Sequence, residues 1–253
     1  MRREVVDGLH FAHGGADDGC SVLFVHGAMD RGAAFLHVAR RLPDLRWTVY
    51  DRRGYGKSVS GLVPTFSDHV ADLVSILTRY TDPVVLVGHS IGATIALAAT
   101  ASQPDSVQSL VCFEPPLPWM DWWPLTDGDG KRIEEDGTKI AVERFMTRVV
   151  GADIWASLPR STREQRFREG ETFVSELVTS REAAPFWPSA ISRPTIISRG
   201  EPTNDVRRKA AEWLVNEIDG AQLVLLDGSP HGAHTASPEE FSVLIRQAVA
   251  LGE

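Results

Sequence analysis

The 253-residue chain carries 26 Lys and Arg against 34 Asp and Glu, a formal charge of −8, with 43% hydrophobic and 24% charged residues. That length buries a large core and suits one α/β domain with an insertion, while the acidic balance argues against nucleic acid or an anionic membrane as partner. No apolar run approaches the roughly 18 residues of a transmembrane helix, and the opening Met1-Arg2-Arg3-Glu4-Val5-Val6-Asp7 lacks the apolar segment of a secretory signal, so a cytoplasmic location is expected.

The first twenty residues, with Gly14-Gly15 and Asp18-Gly19, read as an N-terminal strand or hairpin. Strands are then predicted at 22–26, 47–51, 84–88, 110–114, 195–198 and 223–227. Most are continuous Val, Ile and Leu runs, as expected for strands buried on both faces of a mostly parallel sheet. Amphipathic helices are predicted between them at 33–42, 67–80, 93–102, 206–218 and 238–251. For the last, Ser237, Pro238 and Glu240 form a capping-box start signal. The alternation predicts a doubly wound, mostly parallel α/β sheet. Cys20 and Cys112 show neither metal nor redox spacing and are expected to be reduced, Cys112 as core filler.

Residues 115–193 break the rhythm, because no ordinary crossover needs so long a connection. They open on Pro115-Pro116-Leu117-Pro118-Trp119-Met120-Asp121-Trp122-Trp123-Pro124 and continue with helical patterns at 133–149 and 163–178. The expected organisation is a core of residues 1–114 and 194–253 with an inserted, mainly helical cap of residues 115–193.

Chemistry concentrates at Val84-Val85-Leu86-Val87-Gly88-His89-Ser90-Ile91-Gly92-Ala93-Thr94, where an apolar strand runs into Gly-x-Ser-x-Gly and then an Ala-rich helix. Such a turn exposes a serine hydroxyl between strand and helix. Three further segments stand in order around it: Val22-Leu23-Phe24-Val25-His26-Gly27-Ala28-Met29-Asp30, Asp51-Arg52-Arg53-Gly54-Tyr55-Gly56-Lys57-Ser58, and a histidine before the Pro238 helix start. Together they resemble the α/β-hydrolase superfamily over nearly the whole chain apart from the cap. The resemblance implies the α/β-hydrolase fold, Ser90 as nucleophile, and an oxyanion hole from the N–H groups of Ala28 and Ile91. A serine needs a base with a pKa near neutrality, and histidine supplies one.

The resemblance places the base seven residues before the proline of the last helix. That is His231, with His234 as a second histidine that faces the pocket or packs. His26 and His89 fall at positions the family uses structurally or as pocket lining. His10, His13, His37 and His69 are expected to be solvent-exposed. The acid departs from the family's commonest pattern. Gly200-Glu201-Pro202-Thr203 sets Thr203 where Asp is expected, and Asp205 follows two residues late, where it could equally cap a helix. The other candidate is Glu114, a carboxylate after four apolar residues that requires a partner if buried. Some members of the superfamily carry the acid at that strand. Glu114 is favoured, with Asp205 as alternative and Glu201 or Asp227 behind them.

Met29, His89, Trp119, Trp122, Trp123 and His234 are the candidate lining of the substrate pocket. The aromatics of the insertion suit a mainly hydrophobic small molecule. The expectation is a serine hydrolase of an ester, lactone or thioester, acting through an acyl-Ser90 intermediate without metal or organic cofactor. The alternatives are C–C bond hydrolysis, a lyase or cyclase on the same residues, and a catalytically silent binding protein.

Overall fold

A hairpin of β1 (Arg2–Val6) and β2 (Leu9–Gly15) opens the chain, turning at Asp7-Gly8, where both residues have positive φ and Val6 pairs with Leu9. This turn lies earlier than the glycine pairs that suggested it, which fall within β2 and beyond. The remaining strands are β3 (Ser21–Val25), β4 (Arg46–Asp51), β5 (Val84–His89), β6 (Val107–Phe113), β7 (Thr195–Glu201) and β8 (Gln222–Asp227). They form one eight-stranded sheet in the order β1-β2-β4-β3-β5-β6-β7-β8. Both pairings of β2 are antiparallel, and β4 through β8 run parallel. The structure is a computed structural model that describes residues 1–58, 61–124 and 130–253, the side chains of 130–136 excepted.

Side chains alternate across the sheet. Leu23 and Val25 of β3 join Leu86, Leu110, Cys112 and Ile197 on one face, while Val22 and Phe24 join Val85, Val87, Val111 and Ile196 on the other. A 3-10 turn (Gly32–Phe35) and the single-turn α1 (Leu36–Ala39) replace the longer helix predicted at 33–42. Pro43 follows closely, and a proline stops helix continuation. Next come α2 (Phe66–Leu77) and α3 (Ile91–Ser102), covering the first face. The start of α2 is a capping box between Thr65 and Asp68.

The predicted strand at 223–227 is the sheet edge. Leu223 and Leu225 are therefore 37% and 46% exposed, although their sequence reads like a strand buried on both faces. Cys112 is buried, and the Cys20 thiol donates to Gln108 Oε1 at 3.1 Å.

Between β6 and β7 lie α4 (Gly130–Val150, broken at Gly137), α5 (Ala152–Ser157), α6 (Arg160–Arg168) and α7 (Gly170–Thr179). The predicted helix at 163–178 is thus two helices meeting at Glu169-Gly170. After β7 come α8 (Asp205–Glu217), α9 (Ala233–Ala236) and α10 (Pro238–Gly252). Ser237 holds the N-cap position of α10 but makes no side-chain cap bond, so the expected capping box is absent there. Among the described residues no helix is long and apolar enough to cross a membrane.

The inserted helices have their own apolar cluster, with Ala141, Val142, Met146, Trp155 and Phe173 packed around Met29 and Tyr55. Buried charge reinforces this seam. Arg52 pairs with Glu176 of α7, whose other oxygen accepts from Tyr55 Oη at 3.2 Å. Glu169 accepts from Arg31 at 2.5 Å and from the Gly56 N–H at 2.9 Å. His69 Nε2 lies 3.4 Å from Glu176 and the ring is fully buried, contrary to the expected exposure. The physical reason is periodicity: His69 falls on the same stripe of α2 as Phe66, Leu73, Ile76 and Leu77. Of the other three histidines, His37 is exposed, whereas His10 and His13 are half-buried.

Candidate functional site

Ser90 follows the last residue of β5 and precedes the first residue of α3, with φ 54 and ψ −131. A serine rarely adopts that conformation, and the surroundings impose it. Its N–H donates to Phe113 O at 2.8 Å. The flanking glycines allow strand and helix to touch: a Cβ on Gly88 would lie 2.4 Å from Ala93 Cα, and one on Gly92 2.3 Å from Val25 O. The half-buried Ser90 therefore sits where the parallel strands end and a helix begins. Ile91 is the first residue of α3, and N–H groups in a helix's first turn have no partner within the helix.

The segment after β3 closes on this turn. A Cβ on Gly27 would stand 3.1 Å from Ser90 Cβ. Ala28 comes next, half-buried between the sheet cluster and the insertion cluster. Met29 has φ 57 and is buried against the inserted helices. His26 Nε2 accepts the Arg52 N–H at 2.9 Å, so its proton is on Nδ1, which donates to Gly27 O at 2.7 Å. Burial and the Arg52 cation push its pKa down to about 3. His26 is thus a neutral bracket for this segment.

Glu114 directly follows β6 with φ 47, another strained position, and its N–H donates to Ser198 O at 2.8 Å. Its carboxylate accepts from His231 Nδ1 at 2.5 Å, from Thr203 Oγ1 at 2.8 Å and from the Gly200 N–H at 3.2 Å. Arg207 Nε lies 3.4 Å away. Burial pushes the carboxyl pKa up, but the His231 bond, Arg207 and Thr203 outweigh it and leave the group below its ordinary value. On His231, burial acts first and downward, Arg207 and His234 act the same way, and the Glu114 bond opposes them; the net shift is downward. The imidazole is therefore neutral at pH 7. Its proton is committed to Glu114 at Nδ1, and the Nε2 lone pair is available. The side chain is 16% exposed.

Asp205 does not enter this arrangement. It lies in the first turn of α8, 93% exposed and 3.2 Å from Arg208, and the cap of that helix is Asn204. Glu201 pairs with Arg199, and Asp227 is exposed at the end of β8. Sequence reasoning missed Arg207, and it registered Thr203 only as a departure from pattern. Thr203, in the place where the resemblance sets an aspartate, donates to the carboxylate supplied by another strand.

His89 and His234 are both buried. His89 donates from Nε2 to His231 O at 2.8 Å. His234 Nε2 bonds Asp30 Oδ2 at 3.0 Å, and its ring packs on Phe35 and Phe241. Trp119 meets Phe186 edge-on, and Lys209 Nζ stands 4.5 Å over the Trp122 ring. Trp119, Trp122 and Trp123 are half-buried against the cluster shared by α3 and α8. Asp30, His89 and His234 also form a group of cation-ligating types with ligand atoms within 4.8 Å of one another. A cavity of about 570 Å³ lies elsewhere, beside the N-terminal hairpin, and is lined by Phe11, His13, Arg46, Arg79 and Tyr80 among others. It contains none of the candidate site residues.

A model of the alpha/beta hydrolase family matches residues 22–243. The 2-(acetamidomethylene)succinate hydrolase of Mesorhizobium japonicum is 27% identical over 86% of this chain and 84% of its own length. The lipase LipV of Mycobacterium tuberculosis is 31% identical over 50% of the chain, a match that spans 46% of that lipase. Among solved structures, the enol-lactonase of Burkholderia xenovorans superposes with a TM-score of 0.77 at 17% identity, covering 98% of this chain and 100% of that one. A thermophilic esterase of Thermogutta terrifontis gives 0.75 at 21% identity, covering 96% and 93%.

Proposed function

The chain belongs to the alpha/beta hydrolase family, and from that premise we propose that it is a serine hydrolase of an ester, lactone or thioester of a mainly hydrophobic small molecule. The observation that carries this reading is the 2.5 Å bond from His231 Nδ1 to Glu114. It fixes the tautomer that a general base requires, while Ser90 stands on the strained turn beside it.

In this reading Ser90 Oγ attacks the acyl carbon as His231 Nε2 takes its proton. The imidazolium is stabilised by Glu114, itself held by Thr203, Gly200 and Arg207. The N–H groups of Ile91 and Ala28 receive the developing oxyanion, each worth roughly 10²–10³ in rate. His231 then protonates the leaving alcohol or thiol, and a water activated by the same imidazole releases the acid and restores Ser90. Residues 115–193 act as a cap over the core of 1–114 and 194–253. The aromatic start of the insertion, Trp119 to Trp123, is the reason to favour apolar acyl or alcohol groups.

A serine-directed fluorophosphonate tests the reading. The expected result is covalent labelling at neutral pH that disappears in Ser90→Ala, together with turnover of short activated esters. A folded wild-type chain that takes no label would overturn it in favour of a binding protein. Labelling without acyl turnover would favour a lyase.

A further inference from the structure

His89 is the residue immediately before Ser90, and it reaches across to the base. Three side-chain hydrogen bonds among the described residues tie the loop of residues 228–236 to other elements: Glu114 to the His231 ring, His89 to the His231 main-chain carbonyl, and Asp30 to His234. The first holds the base from behind. The second comes from the nucleophile's own dipeptide. We infer that His89 is a positioning residue, whose Nε2–H fixes the main chain of His231 at a set distance from Ser90. This rests on the hydrolase reading and adds a part to it.

The surroundings suit that task. The His89 ring is enclosed by the rings of His234, His231 and Phe113, with centroids at 4.3, 4.7 and 6.1 Å. On its other side, a Cβ on Gly27 would stand 3.0 Å from Nδ1, so the backbone leading to Ala28 abuts the ring. One imidazole thus touches the base, the nucleophile's turn and the segment carrying a candidate oxyanion donor. Burial drives its pKa well below the ordinary histidine value, and the neighbouring His234 and His231 act in the same direction. A neutral ring has one proton, and the His231 carbonyl commits it to Nε2. A cation here would oppose the positive charge His231 must accept. Buried Nδ1 has no hydrogen-bond partner among the described residues, so the bond at Nε2 is the polar contact that, with the enclosing rings, holds the ring's orientation.

The test compares His89→Gln, whose amide N–H₂ can reach the position of Nε2, with His89→Asn, which is shorter by one methylene. Both substitute a neutral amide in the same site, so folding burdens are alike. With p-nitrophenyl acetate, Asn should lower kcat by about tenfold to a hundredfold with KM little changed, the scale of a misplaced catalytic group. Gln should remain within a few-fold of wild type. The proton on His231 Nδ1, expected far downfield in the NMR spectrum because of its short bond to Glu114, should persist in Gln and broaden or vanish in Asn. Equal kcat and equal spectra for the two variants would overturn the inference, as would a loss confined to KM, which would make His89 pocket lining. The NMR readout does not depend on turnover, so it still decides the point if the hydrolase reading fails for lack of fluorophosphonate labelling.

Discussion

Glu114 Oε2 and His231 Nδ1 lie 2.5 Å apart although 117 residues separate them in sequence. The contact spans two strand ends, because β6 and β8 flank β7 and both chain ends emerge on the same side of a parallel sheet. A glutamate bridges that gap where its extra methylene is useful, and φ 47 at Glu114 turns the chain so the side chain can make the bridge.

The first prediction concerns this pair. Glu114→Gln keeps the shape but removes the charge and lets the imidazole choose the wrong tautomer, so acylation by an activated ester should fall about 10³-fold or more. Asp205→Asn, on an exposed turn, should stay within about twofold, the scale of a surface change. Single-turnover kinetics check both, and the opposite ranking would move the acid to Asp205.

The pH profile follows from His231. Its pKa is lowered from 6.5, and in the proposed mechanism the neutral ring is the active form. kcat/KM should therefore rise with pH through an inflection below 6.5 to a plateau. Arg207 disfavours the imidazolium, so Arg207→Met should shift the inflection upward. An unshifted profile in that variant would show that the guanidinium is not felt at the base.

Ser90 pays a conformational penalty for its position. φ 54 and ψ −131 suit glycine better than serine, and strain of this kind is worth about 1–3 kcal/mol. Ser90→Gly should abolish turnover while raising Tm by a few degrees, since about 1 kcal/mol shifts Tm by roughly 2–4 °C at this size. A lower Tm would mean that the hydroxyl contributes more to the fold than its backbone costs.

Arg52 and Glu176 weld the inserted helices to the sheet with both side chains essentially unexposed. Glu176→Gln leaves the guanidinium buried without its counter-charge, a loss of about 3–5 kcal/mol. Chemical denaturation should report it, and hydrogen exchange should show faster opening in α7. Local exchange without a change in global stability would place the pair at a hinge instead.

Local pattern carried much of this protein. Buried strands announce themselves as runs such as Val84-Val85-Leu86-Val87, since a strand covered on both faces has no polar side to show. The Ser90 turn is equally local, because its glycines answer contacts made within a few residues and with the neighbouring strand. The same local reading set His69 on the surface, and attention to its spacing from Phe66 and Leu73 would have turned it inward.

The amino-acid order alone determined the sheet-and-helix alternation, the nucleophile candidate and the pair of carboxylates that could serve its base. Only the tertiary structure brought Glu114, and not Asp205, against His231, turned Thr203 and Arg207 toward the carboxylate, and buried His89 and His234. Backbone periodicity is written in neighbours along the chain. Which carboxylate meets which imidazole depends on how strands 80 or more residues apart are placed side by side, and no local pattern records that distance.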